Sequence, residues 1–127
     1  MAIILDTGAL IAYERNDPRV VAFLEFSQRE QVPVRTSAAA VAQAWRAGSR
    51  QVRLIRLLRG VDERSLDPSA ARRVGDLLMR SATADVVDGA VIDGATSGDR
   101  VLTSNPGDLT ALAEAAGKHL TIVTVGR

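Results

Sequence analysis

Residues 3–12 read IILDTGALIA: a short apolar run that stops at a carboxylate, Asp6, and passes through Thr7 and Gly8 into a second apolar stretch. Three β-favouring residues, an abrupt polar break and then Leu and Ala at helical density describe a strand, a tight loop and a helix. Asp6 lies among Leu, Gly and Ala with no basic residue close in sequence. A local ion pair therefore does not account for it. Its position, at the carboxyl end of an apolar strand, decides how the rest of the chain is read.

Working outward, short runs rich in Val, Ile and Leu alternate with longer stretches of helical character, the pattern of βαβ units and a parallel sheet. Strands are expected near residues 2–5, 32–35, 61–66, 100–103 and 120–125, with helices filling the intervals. Ser37 is placed to cap a helix through AAAVAQAWRA, which Gly48 would end. SRQVRLIRLLRG sets Val52, Leu54, Ile55, Leu57 and Leu58 along one side and ends at Gly60. DPSAARRVGDLLMRS has Pro68 near its first turn and turns Val74, Leu77 and Leu78 inward. ADVVDGAVIDGATSG follows, and then NPGDLTALAEAAG, with Asn105 as cap and Pro106 at the first helical position. The expected class is α/β with a central, mostly parallel sheet.

A chain of 127 residues, 46% hydrophobic, is expected to form a single domain over residues 1–127. At that size roughly two-thirds of the unfolded surface can be buried. With no cysteine, disulfides and thiolate metal sites are excluded, and a metal would need oxygen ligands or the single His119. That means a hard cation or none. No apolar run is long enough for a membrane span, and the N-terminus lacks a basic region followed by an apolar one, so a cytoplasmic protein is expected. The net charge of +1 hides a division: −1 over residues 1–45, +5 over 46–80 and −3 over 81–127. Acids beside a basic surface suit a cation site next to a polyanion, although solvated helix faces give the same pattern.

Ligands of open parallel sheets bind outside the carboxyl ends of the strands. Asp6 is expected there. So are Asn105, just after RVLTS, and Asp108 three residues on, while Asp85 and Asp88 open a helix one turn apart. Such acids can hold Mg²⁺ or Mn²⁺, which would bind a phosphodiester and activate water. Plainer readings stand beside this one. Asp85 with Asp88 can be a helix cap and its capping-box partner, and Asn105, Pro106 and Asp108 can be a cap, a first turn and a dipole partner. Asp6-Thr7-Gly8 is also the triplet of aspartic proteases. Those enzymes are almost wholly β-sheet and pair two such loops, which the single triplet and the Ala-rich helical stretches here do not match.

On these residues the chain resembles a PIN domain, specifically the small stand-alone kind that serves as the toxin ribonuclease of bacterial VapBC toxin–antitoxin pairs. The resemblance rests on IILDTGALIAYERND, TSAAAVAQAWRAGSRQVRLIRLL, DVVDGAVIDGA and RVLTSNPGDLTALA, and covers essentially the whole length. It implies a three-layer α/β/α sandwich, a Mg²⁺- or Mn²⁺-dependent ribonuclease, frequent dimerisation and inhibition by a small antitoxin. The family's first acid falls on Asp6 and its third on Asp88, with Asp85 beside it. The second, usually Glu, is replaced by Gln43, and the fourth, usually Asp, by Asn105. An amide oxygen can ligate a hard cation but brings no charge, so metal affinity is expected to fall.

The resemblance therefore implies catalytic positions at Asp6, Asp88, Gln43 and Asn105, and metal-holding carboxylates at Asp6, Asp88, Asp85 and Asp108. The alternative is a PIN scaffold that keeps RNA or antitoxin binding without turnover. Arg46, Arg50, Arg53, Arg56 and Arg59 recur every three or four residues, a stripe that offers planar forks to an RNA backbone or a solvated face that pairs with an acidic antitoxin segment. Tyr13, Phe23, Phe26 and Trp45 form no evident base-stacking platform. Trp45 is expected in the core or at a dimer contact, and His119 on the surface near a strand start.

Overall fold

The computed structural model describes residues 1–46 and 48–126. Five strands form one sheet: β1 (Ile3–Leu5), β2 (Val34–Ser37), β3 (Asp62–Arg64), β4 (Arg100–Thr103) and β5 (Thr121–Thr124). Their order is β3-β2-β1-β4-β5, and every pairing is parallel, so the sheet is wholly rather than mostly parallel. Ile4 pairs with Arg35 of β2 on one side and Val101 of β4 on the other. Burial follows rank in the sheet. Ile3, Ile4 and Leu5 of the central strand are all buried, as are Val101, Leu102 and Thr103, whereas every residue of β3 is exposed.

Among the described residues seven α-helices connect the strands: α1 (Thr7–Glu14), α2 (Pro18–Glu30), α3 (Ala38–Ala44), α4 (Val52–Leu58), α5 (Pro68–Arg80), α6 (Val86–Asp93) and α7 (Pro106–Ala116). Helix α1 packs with α2, α3 and α4, while α5, α6 and α7 pack with one another. Right-handed crossovers place the two groups on opposite faces, which makes a three-layer α/β/α sandwich. Helix entry is repeatedly written in aspartate. Asp6, Asp17, Asp67 and Asp85 each accept backbone N–H groups at the starts of α1, α2, α5 and α6. Ser37 caps α3 through Ala39 N–H, as its sequence context suggests.

Three expectations are corrected. Helix α3 ends at Ala44 rather than running to Gly48, and Ala47, within the expected helix, lies outside the described residues. Its terminator is Gln51, only 6% exposed: Nε2 donates to Ala44 O at 2.8 Å and Oε1 accepts Arg46 N–H at 2.8 Å. One buried amide thus satisfies both a last-turn carbonyl and the next free N–H, so the backbone leaves the helix at no hydrogen-bond cost. Trp45, just beyond, is 39% exposed and is not a core residue. Val52 is 47% exposed: it is the first residue of α4, and two residues along an α-helix project to nearly opposite sides, so it does not share the face of the fully buried Leu54. His119 is exposed just before β5, as expected.

Candidate functional site

In the order 3-2-1-4-5 the chain reverses direction across the sheet at β1 and β4, and the crevice outside the carboxyl ends of such neighbours is where ligands bind. Asp6 follows β1 at this switch point, and its backbone N–H bonds Leu102 O of β4. Its side chain is 5% exposed. Oδ1 accepts Ala9 N–H at 2.8 Å, the cap of α1. Burial raises its pKa; hydrogen bonds from the Thr103 hydroxyl and the Ala9 and Gly8 amides work in the opposite direction. The loop closes tightly here. A Cβ on Gly8 would overlap the Ser104 side chain, so α1 and the end of β4 meet at a distance only glycine permits.

Asp88, in the first turn of α6, is half-buried and its carboxyl is pushed up to about 6, first by burial and then by the negative charges of Asp85, Asp6 and Asp108. Acids from three separate segments, the ends of β1 and the starts of α6 and α7, are thus electrostatically coupled at one place. Asp85 does serve as the α6 cap, accepting Val87 N–H at 2.9 Å and Asp88 N–H at 3.0 Å. The reciprocal half of a capping box is not made. The Asp85 N–H goes to the Thr83 hydroxyl, so the Asp88 carboxylate is not committed to the cap.

The two amides behave differently. Gln43 Oε1 accepts the Thr7 hydroxyl at 2.8 Å, which ties α3 to the residue after Asp6. Asn105 precedes α7, but its side chain makes no capping bond, contrary to its expected role. Instead its backbone N–H donates to Thr103 Oγ1 at 2.9 Å. Asp108 is exposed in the first turn of α7, and its charge reaches Asp88. Thr7 and Thr103 were not singled out from the sequence. Both are hydroxyls adjoining a strand end, Thr7 one residue after Asp6 and Thr103 the last residue of β4. Position alone was the available signal.

Among the described residues no three His, Asp or Glu side chains come together as a ready-made cation cage. The donors present still fit a hydrated divalent ion. Mg²⁺ keeps several waters and takes one or two carboxylates, and a carboxyl raised by burial and by neighbouring like charge is relieved by a cation. Arg46, Arg50, Arg53 and Arg56 are all exposed, but not as one helical stripe: Arg46 lies in the loop after α3, Arg50 in the 3₁₀ turn, and Arg53 and Arg56 on α4. No described helix is long and apolar enough to cross a membrane.

No protein-family model matches the sequence, and no curated protein matches it either. Solved structures do. A chain of VapBC2 from Rickettsia felis, crystallised bound to a DNA fragment from its promoter, superposes with a TM-score of 0.67 at 12% identity, over 96% of this chain and 98% of that one. At this identity the likeness is one of fold: the chain has the PIN-like α/β/α architecture seen in VapBC2.

Proposed function

We propose that this protein is a metal-dependent endoribonuclease of the VapC toxin type. The observation that supports this reading best is the Asp88 carboxyl, pushed up to about 6 beside Asp85, Asp6 and Asp108 at the switch point of the sheet. Asp6 and Asp88 would hold Mg²⁺ or Mn²⁺, with Asp85 and Asp108 adding negative charge. When bound, the cation supplies Lewis-acid stabilisation of a phosphodiester and lowers the pKa of a bound water. The chain's own residues hold the geometry. The Ala9 N–H at the start of α1 holds the Asp6 carboxylate, and the Thr7 hydroxyl donates to the Gln43 amide oxygen. Gln43 and Asn105 position water rather than contribute charge. Arg46, Arg50, Arg53 and Arg56 bind the RNA backbone, and a small antitoxin and a second copy of the chain are the expected partners.

Purified protein is expected to cleave RNA with Mg²⁺ or Mn²⁺ and not with EDTA. Asp6→Asn should lower the rate by roughly a hundredfold or more. Cleavage that survives either change refutes the assignment. The second reading is a PIN-fold protein that binds RNA or antitoxin without turnover. It is favoured by the neutral Gln43 and Asn105 and by the lack of a three-acid cage among the described residues. It predicts no cleavage by the natural sequence and a gain of Mn²⁺ affinity in Asn105→Asp, read by calorimetry.

A further inference from the structure

Between the β2–β3 side of the sheet and the α5–α6 pair lies a cavity of about 330 Å³. None of Asp6, Gln43, Asp85, Asp88, Asn105 or Asp108 lines it. Its walls carry Arg35 of β2, Arg64 at the end of β3 and Arg73 of α5. Two carboxylates also face it, and both are engaged. Asp93 receives Arg73 in two-pronged fashion, Nε to Oδ1 at 3.0 Å and Nη2 to Oδ2 at 3.1 Å. Asp67 caps α5 by accepting Ala70 N–H at 2.8 Å.

The remaining two guanidinium groups compete for one acceptor. Asp62 Oδ2 lies 2.9 Å from Arg64 Nε and 3.5 Å from Arg35 Nε. Arg35 loses the competition: its Nε is buried and has no hydrogen-bond partner among the described residues. Arg35 is thus held by a long ion pair rather than by a hydrogen bond, and a guanidinium fork on a cavity wall is matched by the oxygens of a phosphate. Ser65 places a hydroxyl on the same wall.

We propose that this cavity is a phosphate-binding subsite, separate from the acidic switch point, in which Arg35 and Arg64 grip a phosphate group beside the Arg73–Asp93 pair. The phosphate is either free, as inorganic phosphate or a nucleotide, or belongs to an RNA chain. Helix α6 joins the two places, with Asp88 in its first turn and Asp93 at its end, about 7.5 Å of helix rise apart. The RNA source rests on the ribonuclease reading; the phosphate site itself does not.

The test is calorimetry on the full chain in EDTA, titrating inorganic phosphate, a short RNA with a 5′-phosphate and the same RNA without it. Saturable binding of phosphate or of the 5′-phosphorylated RNA is expected, weakened about tenfold in Arg35→Gln and in Arg64→Gln. RNA binding that depends on the 5′-phosphate assigns the group to an RNA chain, and phosphate binding without that dependence assigns it to a free phosphate. Absence of phosphate binding together with equal binding of the two RNAs, or affinities unchanged in the folded variants, overturns the proposal. Should thermal melting show that Arg35→Gln does not fold, the exposed Arg64→Gln decides alone. EDTA separates this result from the ribonuclease reading, which stands or falls in the cleavage assay.

Discussion

β1 and β3 are parallel strands of one sheet with β2 between them, yet they live in different solvents. β1 is buried at every residue and delivers a carboxylate into a crevice that raises its pKa; β3 is exposed at every residue, and its Asp62 and Arg64 pair with each other in solvent. Burial multiplies the cost of charge, so the same residue type is a strained group at the centre and a solvated one at the edge. Function that relies on perturbed acids has to be built near the middle of the sheet.

The largest expected effect tests the packing half of this contrast. Leu102 of β4 is fully buried, and Leu102→Ala is expected to cost about 3 kcal/mol in urea unfolding, against less than about 0.5 kcal/mol for Glu63→Ala on β3. Equal losses would end the distinction. A smaller effect is expected from Asp99, 3% exposed, whose carboxylate accepts Ala2 N–H and Thr96 N–H, each at 2.8 Å. Asp99→Ala leaves both amides without their acceptor and is expected to cost about 2 kcal/mol. That result would show that a central carboxylate stabilises the fold when backbone donors satisfy it.

The smallest effect has the opposite sign. The Asp88 carboxyl sits at about 6, above its ordinary 3.8, so folding favours the protonated form. The stability it contributes is complete below about pH 3.8 and is lost as pH rises through about 6. Without metal, Asp88→Asn should therefore raise the melting temperature at about pH 7.5, and the difference should close at about pH 4. Because the group is half-exposed, solvent screening keeps the gain to roughly 2 °C. A variant less stable than the natural protein at neutral pH would show that Asp88 is held by favourable contacts instead.

Much of this arrangement was legible in the chain. All five strands overlap the expected stretches, even the charged β3, and Asp6 is followed by a helix that it caps. The misreadings share a cause. Gln51 ends α3 from seven residues beyond Ala44, and Trp45 turns outward as a result. A terminator supplied by a side chain further along leaves no mark in the helical periodicity. The sequence leaves Asp85 and Asp88 open between a capping box and a pair of cation-holding acids; in the fold Asp85 caps α6, while Thr83 takes the partner's place and leaves Asp88 to its acidic neighbours. The cavity beside Arg35 was invisible for a related reason: it depends on how Asp62 is divided between two arginines on neighbouring strands.

The strand order also sets a timetable. β2 follows β1 closely along the chain and can join it soon after both are made, but the edge of β1 beside Asp6 must wait for β4, Arg100–Thr103, almost a hundred residues further on. Until then Asp6 has neither the Thr103 hydroxyl nor the charge of Asp108 near it. A protein proposed to cut RNA is made while tethered to a particle largely composed of RNA. Here the first acid of the site is translated almost a hundred residues ahead of the strand that completes it, so the acidic crevice cannot assemble until that strand has been made.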